Sequence, residues 1–91
     1  MTPTYMLESA IKKRCSRQLE EWGWEVIHLI QTSKNGIPDI LALRAAKAVF
    51  IEFKQPGKRP EPLQKYRHRK LREQGFEVIV AKQLSDIVHL R

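Results

Sequence analysis

An α/β fold, with a mixed four-stranded sheet flanked by helices, follows from three features of the sequence. Two segments, 4–22 and 62–74, show helical spacing between capping signals. Four short segments rich in Val, Ile, Leu and Phe lie between turn residues. Three of these are joined by short turns and the fourth follows a helix. The three form an antiparallel meander, and the helix makes a crossover, expected to be right-handed, to the fourth.

The first helix is expected over 4–22, with Thr4 as N-cap and Gly23 as the stop. Leu7, Ile11, Cys15, Leu19 and Trp22 recur at three- and four-residue steps and form its buried stripe. Glu8 falls inside that stripe. A carboxylate on a core face is costly unless something meets it. Two readings of Glu8 stand: it meets a partner there, or it reaches water and complements the helix dipole.

Residues 24–31 read as the first strand, 32–36 as a polar turn and 38–44 as the second strand, with Pro38 tolerated at its start. A short turn at 45–47 leads to the third strand, 48–55. Residues 56–61 form a Pro/Gly/basic loop. The second helix, 62–74, has proline near its first position and Gly75 beyond its end. Its apolar arc places Tyr66 and Leu71 in a thin buried seam. The fourth strand spans 76–81, and Ser85 is expected to cap a short last helix reaching about Leu90.

The chain has 91 residues, read as one domain over 1–91. Hydrophobic residues make up 42% of it, too many for a disordered basic tail. No apolar run exceeds four residues, so neither a membrane span nor a signal-type apolar core is expected. Cys15 is the one cysteine, which rules out an internal disulfide and suits an intracellular, reducing setting.

Seventeen Lys and Arg against ten Asp and Glu give a formal charge of +7. Seven of the basic residues fall within 58–72: Lys58, Arg59, Lys65, Arg67, Arg69, Lys70 and Arg72. A second group is Lys12, Lys13, Arg14 and Arg17. One basic run is often only a solvated face. Two runs with this net charge favour contacts to a polyanion, of which nucleic acid is the commonest. His28, His68 and His89 show no zinc-type spacing and read as structural or solvated. Trp22 and Trp24 read as core, and Cys15 on the buried stripe as inert.

In the third strand, Glu52 and Lys54 share one face and Ile51 and Phe53 the other. A Glu-x-Lys triplet alone is weak evidence. The second strand adds weight, because Asp39 lies at its start. An antiparallel register across a two-residue turn at Ala45-Ala46 sets Asp39 opposite Glu52. A register shifted by two sets it opposite Lys54. Either one gathers Asp39, Glu52 and Lys54 on one face. Opposed carboxylates repel, which points to a shared cation. Such a pair binds hard divalent cations, and a neighbouring lysine can orient a nucleophile or stabilise charge developing on phosphorus.

These residues resemble a known group. Asp39 followed by Glu52-x-Lys54, on a hairpin after an N-terminal helix, resembles the PD-(D/E)xK nuclease superfamily. Gly36-Ile37-Pro38-Asp39-Ile40, then Phe50-Ile51-Glu52-Phe53-Lys54, Gln64 and Leu71 before Gly75, resemble the VRR-NUC family in its stand-alone phage or bacterial form. Ile40 stands where leucine is more usual. The resemblance implies a restriction-endonuclease-like αβββαβ core and an endonuclease dependent on Mg²⁺ or Mn²⁺ that cuts DNA. It implies that Asp39, Glu52 and the Phe53 carbonyl bind metal, and that Glu8 joins the metal shell directly or through water. Lys54 would position the attacking water, and Gln64 would hydrogen-bond Lys54 or a phosphate. Lys12, Lys58, Arg59, Lys65, Arg67 and Arg69 are the candidate DNA contacts. Branched DNA such as a Holliday junction and a homodimer follow from the same resemblance, since two-fold symmetry suits symmetric strands. The alternatives are a non-catalytic nucleic-acid-binding module, an RNA-directed nuclease, or a subunit acting inside a larger complex.

Overall fold

A computed structural model describes residues 7–91. The expected cap Thr4 lies outside them. The elements are α1 (Glu8–Glu21), β1 (Glu25–His28), β2 (Ile40–Arg44), β3 (Lys47–Phe53), α2 (Pro62–Glu73), β4 (Glu77–Ala81) and a closing 3-10 helix, Leu84–Leu90. The sheet order is β1-β2-β3-β4, with β1, β2 and β3 antiparallel and β4 parallel to β3. The fold class is the expected one: a mixed four-stranded sheet with flanking helices.

The strands are shorter than the sequence suggests. β1 ends at His28, although the Leu29 N–H still reaches the Asp39 carbonyl at 2.9 Å. The last helix is a 3-10 helix, and Ser85 does not cap it. Gln83 precedes it, and Asp86 Oδ2 accepts the Lys82 N–H at 2.8 Å.

The β2–β3 register pairs Ile40 with Ile51 and Arg44 with Lys47. The turn between them is Ala45-Ala46, with φ of 51° and 65°. Two left-handed residues make a primed turn, whose twist matches that of the flanking strands. A Cβ is disfavoured at both positions. Replacing Ala45-Ala46 by Asn-Gly should therefore raise stability by about 1 kcal/mol. Thermal denaturation would read this as a rise of roughly 4–8 °C in Tm. An unchanged or lower Tm would contradict the turn strain.

Strand alternation sends Ile51 and Phe53 to one face, where Ile11, Cys15 and Leu19 of α1 pack with Ile40, Ala42, Val49, Ala81, Ile87 and Leu90. Each fully buried Leu, Ile or Phe side chain contributes roughly 1.5–3 kcal/mol. Burial pushes the Cys15 thiol up to about 11, consistent with an inert core position. Trp24 is buried, donates its indole N–H to the Leu90 carbonyl at 2.9 Å, and lies under the Arg44 guanidinium. Leu7 departs from the expected stripe and is exposed, because it precedes the first helical turn. No helix among the described residues is long and apolar enough to cross a membrane.

Candidate active site

The other face of the sheet carries Asp39, Glu52 and Lys54. The hairpin register continues past Ile40–Ile51 to set Asp39 opposite Glu52, the closer of the two arrangements the sequence allowed. Asp39 lies one residue before β2, where the strand ladder runs out. Its Oδ2 accepts the Phe53 N–H at 2.8 Å and so closes the hairpin where no strand partner remains. Phe53 is buried on the core side, so this anchor ties the start of β2 to a residue of the core. Lys54 follows, also buried, with its N–H on the Ala81 carbonyl of β4 at 3.1 Å.

Glu52 is 3% exposed. Burial lifts its carboxyl above the usual carboxylate range; His68 and Lys54 pull it back, while the Asp39 charge adds to the rise. Its Oε1 is buried with no hydrogen-bond partner among the described residues. Its Oε2 accepts Gln64 Nε2 at 3.3 Å. Gln64 therefore meets Glu52, where Lys54 or a phosphate was the expected partner. Gln64 Oε1 also takes the Glu61 N–H at 2.8 Å, which ties the side chain to the start of α2.

Two features that position α2 are not evident in the sequence. Gly36 has φ +82°, and a Cβ there would meet the Leu63 Cγ and carbonyl oxygen at 2.9 Å. The glycine of Gly36-Ile37-Pro38-Asp39 thus lets the loop before Asp39 lie against the first turn of α2. Arg67 Nε donates to the Asn35 carbonyl at 2.9 Å and pins the same contact. Second, α2 turns Gln64 and His68 towards the sheet, and its one buried residue is His68. Tyr66 is exposed, contrary to the expected buried seam, and its ring lies 5.2–5.8 Å from the charged groups of Arg67, Arg69 and Lys70. The inner face of α2 is polar because it meets a carboxylate, so apolar spacing misplaces it.

Glu8 is the first residue of α1 and is half-buried. Among the described residues it makes no ion pair, and no three His, Cys, Asp or Glu side chains come together as a metal cage. The carboxylates the structure brings together are Asp39 and Glu52. Of the basic candidates, Lys58, Arg59, Lys65 and Arg69 are exposed, while Lys12 and Arg67 are half-buried. None of the six pairs with a carboxylate among the described residues. His28 is exposed, and His89 meets Glu77 at 2.7 Å on the surface.

A family profile described as the VRR-NUC domain matches residues 2–83. The chain belongs to the VRR-NUC family. It is similar to a relative named "Putative nuclease p44" from Acyrthosiphon pisum secondary endosymbiont phage 1, with 32% identity over 84 residues, covering 89% of this chain and 90% of the relative. A solved structure described as a VRR_NUC domain superposes with a TM-score of 0.81 at 27% identity, covering 91% of both chains. A second, a VRR_NUC domain protein, has a TM-score of 0.76 at 19% identity, covering 97% of this chain and 87% of its own, and shares the fold. The order of elements is the fold that the chain shares with these structures.

Proposed function

We propose that this protein is a divalent-metal-dependent endonuclease that hydrolyses phosphodiester bonds in DNA. The observation that carries this reading is the pair Asp39 and Glu52, opposed at the end of a buried hairpin, with Glu52 Oε1 lacking a hydrogen-bond partner among the described residues. Repelling carboxylates with an unsatisfied oxygen fit Mg²⁺ or Mn²⁺, which favour oxygen donors. Asp39, Glu52 and the Phe53 carbonyl would hold the ion, with Glu8 contributing from the start of α1 as the family resemblance implies. When bound, the ion supplies positive charge to phosphoryl oxygens and acidifies a water.

The remaining work belongs to the chain. The anchor from Asp39 to the Phe53 N–H fixes where both acids stand. Gln64 orients Glu52. Lys54, one residue past the end of β3 and on the Glu52 face, orients the nucleophile and stabilises charge on phosphorus. Lys58, Arg59, Lys65 and Arg69 lie on the loop before α2 and on α2 itself, where they hold the backbone by phosphate contacts that carry no sequence information. Lys12 and Arg67 extend that set.

The preferred substrate is branched DNA such as a four-way junction, cut by a homodimer inside a bacterial or phage-infected cell. Ile27, Leu41 and Phe50 line up across the sheet on the Glu52 face, and Ile27 is exposed at the edge strand. The exposed Ile27 beside half-buried Leu41 and Phe50 supports pairing with a second copy through this edge. The test is cleavage of an end-labelled four-way junction and a matched linear duplex with Mn²⁺, beside a chelator control. Metal-dependent paired nicks at the junction are expected. No cleavage of either substrate would remove the enzymatic reading, and equal cutting of both would remove the structure selectivity.

A further inference from the structure

We infer that His68 is a positioning residue for Glu52, completing with Gln64 a two-pronged clamp from one face of α2 onto the two carboxylate oxygens. The inference rests on the nuclease reading of the site. Gln64 and His68 are four residues apart, so their side chains stack on the same helix face. Gln64 Nε2 meets Oε2 at 3.3 Å, and His68 Nε2 faces Oε1 at 3.7 Å. His68 is 2% exposed, so no bulk water replaces that contact.

Both atoms of the His68–Glu52 contact are buried without a hydrogen-bond partner among the described residues. A buried polar pair just beyond hydrogen-bond range is costly for a core and has no packing benefit that Leu would not supply. It has a use in a site. With Nε2 carrying the proton, a shift of under about 1 Å makes a charge-assisted hydrogen bond. Glu52 then has one donor on each oxygen, and its plane is set. Each oxygen keeps a further lone pair for a cation, since a carboxylate offers about four acceptor positions. Partners of this type behind a ligating carboxylate tune metal affinity by about 10- to 100-fold.

The clamp gives α2 two duties. Its outer face carries Lys65 and Arg69 for the backbone, and its inner face carries Gln64 and His68 for Glu52. Gly36 against Leu63, and Arg67 on Asn35, hold the helix where both faces are in register with the site.

The test compares wild type, His68→Leu and His68→Gln by Mn²⁺ titration calorimetry, by DNA binding in chelator, and by thermal denaturation. His68→Leu removes a group that favours the charged Glu52, so it is expected to melt at or below the wild-type temperature, to bind DNA in chelator as wild type does, and to bind Mn²⁺ about 10-fold more weakly. His68→Gln keeps an N–H donor of similar reach and should restore most of the Mn²⁺ affinity. His68→Met replaces His68→Leu if the latter fails to fold. Unchanged Mn²⁺ affinity in the apolar variant would overturn the clamp, as would a folded His68→Gln as weak as it. Failure of the wild type to bind Mn²⁺ would instead overturn the nuclease reading on which the clamp rests.

Discussion

Glu52→Gln should yield a protein that melts higher than wild type and does not cut. The stability gain follows from the direction of the carboxyl shift. Burial is the largest cause, and it places the folded pKa above the unfolded one. A group shifted that way contributes stability fully present below its unfolded pKa and lost as pH rises through its folded pKa. At neutral pH, Glu52 therefore weighs against folding. The amide removes that charge at nearly constant volume. Its oxygen can still accept from Gln64, and its N–H₂ can face the His68 ring. A gain of about 1 kcal/mol is of the size such replacements give. In a chain this short that corresponds to roughly 4–8 °C in Tm. Wild-type Tm should fall as pH climbs through the carboxylate range, and this fall should be smaller in Glu52→Gln. Cleavage should drop on the order of 10³-fold or more, since the site loses one of its two carboxylates. A variant that melts several degrees lower and still cuts would contradict both the charge argument and the role of Glu52.

The hairpin was legible in the sequence because strand alternation and a two-residue turn leave few registers, and both candidate registers gathered Asp39, Glu52 and Lys54 on one face. The first helix was legible through Ile11, Cys15 and Leu19, which do reach the core. Leu7 and Tyr66 were not, for different reasons. Leu7 keeps the spacing but precedes the helix that would aim it. Tyr66 is apolar by type, yet α2 turns its polar side inward because Glu52 waits there. His68 gave no signal at all: a lone histidine in a basic helix looks like any solvated one. Only the tertiary placement of α2 over β3 turns it into the neighbour of Glu52. Gly36 could be read as a turn residue, but its contact with Leu63 joins positions far apart in sequence and needed the fold. Glu8 stays where the sequence left it, at the start of α1 and half-buried, its link to the metal shell carried by family resemblance.

Asp39→Ala should lose cleavage as fully as Glu52→Gln but with the opposite effect on stability. The two acids face each other, yet their surroundings differ. Asp39 Oδ2 is the acceptor for the Phe53 N–H at 2.8 Å, at the point where β2 no longer supplies a backbone partner. Phe53 is 1% exposed, so water does not take over that N–H when the carboxylate is removed. An orphaned buried donor costs about 1–3 kcal/mol. The end of β3 also loses its tie to the loop that holds Gly36 against α2, so the loss should fall in the upper half of that range. Asp39→Asn separates the two duties. Its amide oxygen can accept the same N–H, so melting should return close to wild type, whereas the missing charge keeps cleavage abolished. Thermal denaturation and junction cleavage of the three variants together test the assignment. Equal melting temperatures for Asp39→Ala and wild type would show that the hairpin end does not depend on this anchor. Cleavage by Asp39→Asn at the wild-type rate would remove Asp39 from the proposed metal-binding pair, leaving it as the structural end-piece of the hairpin.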